Sequence, residues 1–248
     1  MMKKFSVSVI GQFHTNHNED FLLVSEIGKN KLLIAVMDGC SMATDSHFAS
    51  TLVAKLLKNI AKQADYIEFV AKEEKTLEQL IEAISRKLFE NLVDLKNRIG
   101  LSREELLTTL VLGVVDVESK MAEILVVGDG LVVCNSNFFE YDQDNKPDYL
   151  GYHLEKNFEN WFAEQKQRLH LKDFNDLSIS TDGIFTFKKF DNIDRPKVIL
   201  ENEIVEFLLL DNFGFENENM LKQKILKIES QYGLKPSDDL TIIRLIIG

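Results

Sequence analysis

Two long amphipathic segments, with short apolar runs on both sides of them, constrain the fold of this chain more than any other feature. Residues 44–63 and 75–97 place apolar side chains three or four positions apart, which predicts two helices that each bury one face. The short apolar runs predict strands, and they lie at residues 5–10, 20–27, 31–38, 109–118, 122–130, 131–136, 176–183 and 239–247.

The connections between the predicted strands are mostly too short to hold a crossover helix. Short connections join antiparallel neighbours, whereas a doubly wound parallel sheet needs a helix after nearly every strand. Further helices are predicted at residues 202–210 and 216–232, and residues 138–175 predict a loop with one helix around residues 155–168. The pattern predicts a layered α+β fold with helices outside largely antiparallel sheets. No linker or repeat divides the sequence, so we expect one domain over residues 1–248.

The composition argues against several classes of partner and location. A net charge of −11 and an isoelectric point of about 5.0 argue against nucleic acid or an anionic membrane as the partner. No run of about 18 apolar residues is present, so we expect no membrane-spanning helix. The two cysteines, Cys40 and Cys134, are too few for a disulfide framework or a four-cysteine zinc site. We therefore expect a cytoplasmic protein.

Acidic residues stand at one end of several predicted strands. These residues are Glu19 and Asp20, Asp38, Asp129, Asp182, and Asp238 with Asp239. In antiparallel neighbours the start of one strand lies beside the end of the next, so Asp20 and Asp38 can meet. Some of these acids precede a glycine, and an Asp-Gly pair that only forms a turn is the alternative explanation for them.

Acids brought together at one sheet edge suit a hard divalent cation. Clustered carboxylates resist ionisation unless a cation lies between them, and Mn²⁺ and Mg²⁺ prefer oxygen ligands. Two such ions can share a carboxylate and activate a water molecule for attack on a phosphoryl group. No set of cysteines and histidines at ligand spacing is present, which argues against zinc.

Short motifs around these acids resemble, in sequence order, those of the metal-dependent type 2C protein phosphatases. The motifs are NEDF (18–21), VMDG (36–39), TTLVLGVVD (108–116), VVGDG (126–130), STDGI (180–184) and SDDLTII (237–243). Each is short, but together they extend over nearly the whole chain. The resemblance, to a divergent bacterial-type member, implies a layered α-β-β-α sandwich of two mainly antiparallel sheets flanked by helix pairs.

The resemblance also implies a role for each acid. It implies that the catalytic metal ligands are Asp20, Asp38, Asp182 and Asp238, and that Asp38 bridges two Mn²⁺ or Mg²⁺ ions. It further implies that the Gly39 carbonyl binds one of these ions and that Glu19 contacts a metal-bound water. Asp129 is implied to help hold a third, weaker ion. The implied reaction is attack of a water or hydroxide bridged between the two ions on phosphoserine or phosphothreonine. The implied partner is a phosphorylated protein.

The sequence departs from the family pattern mainly where the substrate phosphate would bind. No arginine precedes NEDF, and His14 or His17 is the candidate phosphate contact in its place, with two surface histidines as the alternative. Cys40-Ser41-Met42 follows VMDG where the family commonly has His-Gly-Gly, GDGL stands for GDSR, and Asp239 occupies a position that is usually Asn. Two alternatives therefore stay open: a phosphatase-fold binding or regulatory module with little turnover, and a hydrolase of small phosphoesters.

Overall fold

The chain forms strands first, then two long helices, then further strands and shorter helices. The computed structural model describes residues 2–43, 45–71, 75–142, 148–191, 195 and 197–248. The strands are β1 (Met2–Val9), β2 (Phe21–Glu26), β3 (Lys31–Met37), β4 (Leu110–Asp116), β5 (Met121–Val127), β6 (Gly130–Cys134), β7 (Asn137–Tyr141), β8 (Arg168–Leu171), β9 (Asp176–Ser180), β10 (Phe187–Lys189), β11 (Leu234–Pro236) and β12 (Leu240–Ile247). The helices are α1 (Ser46–Ala71), α2 (Leu77–Ile99), α3 (Phe158–Glu164), α4 (Glu201–Leu209) and α5 (Met220–Tyr232).

Two five-stranded sheets form the centre of the fold. The first sheet has the strand order β1-β12-β9-β6-β7, and the second has the order β2-β3-β4-β5-β8. β10 and β11 form a small two-stranded sheet. Every pairing between these named strands is antiparallel. The prediction of antiparallel sheets is therefore confirmed.

Helices cover the outer face of each sheet, so apolar side chains fill three layers. The alternation along β3 shows the division: Leu33 and Met37 contact the layer under α1, α2 and α3, whereas Ile34 and Val36 contact the layer between the sheets. The third layer lies between the first sheet and the helix pair α4 and α5. This is the predicted α-β-β-α sandwich.

The ends of α2 show how the local sequence sets the bounds of an element. Thr76 Oγ1 accepts the Gln79 N–H at 3.2 Å, and Gln79 Oε1 accepts the Thr76 N–H at 3.0 Å, which is a capping box. Gly100 ends the helix in the left-handed conformation with φ of 72°. Between the caps, Ile84 and Leu88 are buried against the second sheet.

Two buried cations hold the C-terminal end of α4. Arg244 donates to both carboxylate oxygens of Asp176 (3.0 and 2.6 Å), and it also donates to the carbonyl oxygens of Leu210 (3.0 Å) and Asp211 (2.7 Å). Lys224 donates to the Asp211 carbonyl as well. The last carbonyl oxygens of a helix receive no hydrogen bond from an N–H group of the same helix, and these two cations supply the missing donors. Burial, with Arg244 nearby, lowers the pKa of Lys224 to about 8.

Most predicted elements are present, and the errors lie in short or weakly patterned segments. The expectation of a loop with one helix over residues 138–175 is wrong in part, because most of β7 and all of β8 lie there, and α3 is shorter than the predicted helix. The short strands β10 and β11 were not predicted. The helix expected from residue 44 begins at Ser46 and continues to Ala71, and Thr44 lies outside the described residues. Over the described ranges, no helix combines the length and the apolar character needed to cross a membrane.

Candidate metal centre

Strand register brings acids of the second sheet together at one end of the sandwich. Phe21 lies opposite Met37 in the antiparallel β2–β3 pair. Asp20 comes directly before Phe21 and Asp38 directly after Met37, so the two acids leave the sheet side by side. The spatial meeting expected from the sequence is therefore confirmed.

The first sheet delivers further acids to the same end. Ile242 lies opposite Ser180 in the β9–β12 pair, so Asp182, just beyond β9, lies near Asp238, just before β12. β6 also begins beside Ser180, which places Asp129 at this end as well. The acid cluster is defined here as Asp20, Asp38, Asp182 and Asp238.

Burial raises the pKa values of Asp20, Asp38 and Asp182, and repulsion from other members of the cluster adds to the shifts of Asp38 and Asp182. Burial raises the pKa of Asp20 to about 7, although the Thr181 hydroxyl donates to its Oδ2 at 2.7 Å. Burial, followed by repulsion from the other three members of the cluster, raises the pKa of Asp38 well above its usual range. Burial and then repulsion from Asp238 raise the pKa of Asp182 to about 6. The cluster is thus one electrostatic unit built from both sheets.

Asp129 lies in the tight turn between β5 and β6. Gly128 has φ of 84°, in the left-handed region that favours glycine, so a turn does explain this part of the sequence. The carboxylate of Asp129 also repels Asp182 and contributes to its raised pKa. The turn and the electrostatic contact with the acid cluster are therefore both present.

Two backbone segments approach each other closely at Gly39 and again at Gly183, and only glycine fits there. Each of these glycines follows an acid of the cluster. Neither glycine has a positive φ. A Cβ atom at Gly39 would lie 1.9 Å from the Ser46 carbonyl oxygen, and one at Gly183 would lie 1.9 Å from the Asp239 carbonyl oxygen. No side chain fits at these positions, so the left-handed turn that commonly explains an Asp-Gly pair does not explain these two.

Two buried threonines fix the backbone of Asp38. The Asp38 N–H donates to Thr109 Oγ1 at 3.1 Å, and Thr108 Oγ1 donates to the Asp38 carbonyl oxygen at 2.8 Å. The Thr109 N–H donates to the same carbonyl at 2.8 Å. The end of β3 is therefore held by β4, and sequence reasoning gave these threonines no such role.

Asp239 is a structural anchor that sequence reasoning missed. Its side chain is fully buried and accepts hydrogen bonds from the backbone N–H groups of Gly11 and Glu19. Its Oδ2 also lies 2.9 Å from Nδ1 of His14. The carboxylate thus connects the segment before β2 to the start of β12 and fixes the backbone of Glu19. The only signal in the sequence is a doubled acid before an apolar strand.

The two candidate histidines lie in different surroundings. His14 is mostly buried, and its Nε2 lies 3.4 Å from Oδ1 of Asp238. Burial alone would lower the pKa of His14, but the contacts with Asp239 and Asp238 outweigh it, and the pKa is raised above its ordinary value. His17 is exposed and stacks on His47 with ring centroids 4.3 Å apart. Of the two, it is His14 that contacts the acid cluster.

Buried carboxylate oxygens at this end of the sandwich suit a cation. Oδ1 of Asp20 and Oε2 of Glu19 are buried and receive no hydrogen bond from the described residues, although the Ser46 hydroxyl donates to the other oxygen of Glu19. Such oxygens are costly to bury unless a cation or proton compensates them. In the described part of the chain, no three acidic, histidine or cysteine side chains form a preassembled metal-binding group. The donor set fits Mn²⁺ or Mg²⁺ in its chemistry.

Comparison with known proteins gives matches in sequence and in structure. A family profile described as protein phosphatase 2C matches residues 13–208. The crystal structure of a bacterial serine phosphatase is similar at 17% identity and a TM-score of 0.63, covering 100% of this chain and 98% of that chain. Serine/threonine phosphatase Stp1 from Staphylococcus aureus is similar at 18% identity and a TM-score of 0.62, covering 100% of this chain and 96% of that chain. At these identities the structural likeness shows the fold alone. A search of curated protein sequences found no match.

Proposed function

Because the chain belongs to the protein phosphatase 2C family, we propose that it is a serine/threonine protein phosphatase that works with two Mn²⁺ or Mg²⁺ ions. The observation that carries this proposal is the acid cluster, in which carboxylates from both sheets meet, and in which burial together with repulsion between members raises the pKa values of Asp38 and Asp182. Such mutual repulsion costs stability in the metal-free protein, and strongly perturbed acids of this kind are typical of functional sites.

The proposed ligands are the residues that the strand register brings together. The ions would be held by the carboxylates of Asp20, Asp38, Asp182 and Asp238 and by the Gly39 carbonyl, with Glu19 acting through a water molecule and Asp129 holding a third, weaker ion. Support comes from the buried oxygens of Asp20 and Glu19 that no described donor satisfies. Oxygen-only donors favour Mn²⁺ or Mg²⁺ over zinc.

The residues around the cluster have positioning roles in this proposal. When bound, the ions would supply a water nucleophile of lowered pKa and neutralise charge on the phosphoryl oxygens. Thr108 and Thr109 fix the backbone of Asp38, and Asp239 fixes that of Glu19. His14, whose pKa is raised by the contacts with Asp239 and Asp238, would donate a hydrogen bond to the substrate phosphate from the edge of the cluster.

A reducing compartment, the cytoplasm, is the proposed location. Cys40 and Cys134 are both buried free thiols, and a protein without disulfides is typical of that compartment. Fractionation of the cells that produce the protein, with an antibody against it, would test this location.

The function is tested by hydrolysis of a phosphothreonine peptide by metal-stripped protein titrated with Mn²⁺, with calorimetry of Mn²⁺ binding in parallel. Asp38→Asn should abolish Mn²⁺-dependent turnover, because it removes a carboxylate that would hold the ions. The same change should leave the unfolding midpoint of the metal-free protein equal or higher, because it relieves repulsion within the cluster. Asp94→Asn, on the exposed face of α2, is the matched control and should keep full activity.

Each outcome of this test separates the proposal from its alternatives. An Asp38→Asn protein that retains most of the Mn²⁺-dependent rate would contradict the assignment of the ligands. Tight Mn²⁺ binding without turnover of any phosphopeptide would indicate a binding or regulatory module. Turnover confined to small phosphoesters would indicate a hydrolase of another substrate class.

A further inference from the structure

Three backbone segments lie side by side next to the acid cluster. The N–H groups of Gln12 and Phe13 donate to the carbonyl oxygens of Pro236 and Ser237 at 3.0 and 3.1 Å. β11, which contains Pro236, pairs in turn with β10. The segment that contains Phe13 and the strand β10 therefore flank the chain that leads directly to Asp238.

This surface exposes an aromatic ring beside a lysine, and we call Phe13 and Lys188 the basic patch; Lys189, the next residue of β10, lies on the opposite face of the strand. Phe13 is 69% exposed, and Nζ of Lys188 lies 5.6 Å from the centre of its ring. Lys188 is exposed, and within the described part of the chain it forms no ion pair with a carboxylate. A large exposed aromatic side chain beside an unpaired cation is typical of a binding surface.

The charge arrangement in the small sheet is unfavourable without a partner. Lys188 lies directly opposite Lys235 in the β10–β11 pair, and like charges in that position destabilise a sheet. Lys235 is compensated by Glu229 at 2.8 Å. Among the described residues no carboxylate pairs with Lys188, although the net charge of the chain is −11. An anion bound at Lys188 would remove this imbalance.

The basic patch lies within reach of a peptide held at the acid cluster. Thr186 Oγ1 accepts the Asp238 N–H at 3.2 Å, and Lys188 follows two residues later along β10. Two residues of extended chain span about 7 Å, and a bound extended peptide has the same rise per residue. A side chain two or three positions from a residue at the cluster would therefore meet the patch.

We propose that the basic patch selects phosphoprotein substrates that carry an acidic residue two or three positions from the phosphorylated one. Lys188 binds that carboxylate through a charge-assisted hydrogen bond. Phe13 packs against the adjoining part of the peptide. This inference rests on the phosphatase function proposed above, and it deepens that function by naming the substrate class.

The test compares phosphothreonine peptides that differ only at the second and third positions on either side of the phosphothreonine, where they carry Asp, Ala or Lys. Steady-state kcat and KM are measured with Mn²⁺ for each peptide and for p-nitrophenyl phosphate. The wild-type protein should have its lowest KM for an acidic peptide. Lys188→Glu should raise that KM about tenfold and favour the Lys peptide instead, because the charge at the contact is reversed. The kcat for p-nitrophenyl phosphate should not change.

Further variants separate the patch from general charge effects. Lys62→Glu reverses an exposed charge on α1 and should leave the order of KM values as in the wild type. Phe13→Ala should raise KM for the peptides and leave turnover of p-nitrophenyl phosphate unaffected. The unfolding midpoint of every variant is measured, so that a folding defect is not counted as a change in selectivity.

The possible failures are distinguishable. Turnover of all peptides with no preference for acid, or an acidic preference that survives Lys188→Glu, would overturn the role of the patch and leave the phosphatase function intact. No turnover of any phosphoester by the wild-type protein would overturn the phosphatase function and the patch together.

Discussion

At the scale of single residues, the adjacent acids Asp238 and Asp239 have separate roles. The carboxylate of Asp239 is fully buried and accepts backbone N–H groups from the segment before β2. Asp238 is partly exposed and belongs to the acid cluster, where its charge raises the pKa values of Asp38 and Asp182. The sequence placed both residues at the start of a strand, but their division of roles depends on partners more than 200 residues away, at Gly11 and Glu19.

His14 offers a residue-scale prediction with a matched control. His14→Ala should raise KM for a phosphothreonine peptide several-fold with a smaller effect on kcat, because the proposed contact is made to bound substrate phosphate. His17→Ala should leave both constants near the wild-type values, because His17 stacks on His47 at the surface. Steady-state kinetics with saturating Mn²⁺ measures both. Equal KM values for the two variants would remove His14 from the phosphate site.

The raised pKa values of the acids predict how the stability of the metal-free protein depends on pH. Asp20 and Asp182 have pKa values of about 7 and about 6 in the folded protein, against about 3.9 in an unfolded chain. The folded state therefore holds protons that the unfolded state has released, and the free energy of unfolding falls as pH rises from about 4 to about 7. Thermal unfolding in the presence of a chelator should show a lower midpoint at pH 7.5 than at pH 5. Asp20→Asn should reduce this difference, and an unchanged slope would contradict the assignment to Asp20.

At the scale of elements, the sequence predicted the long amphipathic helices and the strands that consist of strongly apolar runs. α1 and α2 repeat an amphipathic pattern over many residues, and the buried strands are continuous apolar runs, so these patterns identified them. β7, β8, β10 and β11 have three to five residues each, and their pairing depends on partners that the local sequence does not contain. The acids of the site were predicted because strand ends carry them, whereas the hydrogen bonds of Thr181 and Asp239 exist only in the folded chain.

The buried arginine at the end of α4 gives an element-scale prediction. Arg244→Met should lower the free energy of unfolding by about 3 kcal/mol, because it removes the buried partner of the Asp176 carboxylate and the donor to the Leu210 carbonyl. Arg98→Met, which removes an exposed ion pair with Asp94 on α2, should cost no more than about 0.5 kcal/mol. Urea unfolding of both variants measures the difference. Equal losses would show that burial of the Arg244 network adds no stability.

At the scale of the whole molecule, the acid cluster joins the two sheets. Asp20 and Asp38 adjoin strands of the second sheet, whereas Asp182 and Asp238 adjoin strands of the first. A cation held by acids of both sheets would stabilise the folded chain as a unit. Mn²⁺ at about one hundred times its dissociation constant should add about 2.7 kcal/mol, which raises the unfolding midpoint of a chain of this length by about 5–10 °C.

Calorimetry with and without Mn²⁺ checks this whole-molecule prediction and the expected single domain together. We expect one cooperative transition that moves as a whole when the ion is added. Two transitions, of which only one moves, would indicate that the sheets unfold separately and that the ion is held by one of them. A midpoint unaffected by Mn²⁺ would contradict a site shared by both sheets.

The close backbone approaches at Gly39 and Gly183 separate the demands of folding from those of catalysis. Asp38 and Asp182, which precede these glycines, weaken the metal-free fold by repulsion. The two glycines themselves are needed for folding, because a side chain at either position would clash with a neighbouring backbone segment. A lineage selected for a folded protein but released from selection for turnover would keep the glycines and lose the acids beside them. Divergent homologues without metal-dependent activity would then have a glycine at each of these positions without the preceding aspartate.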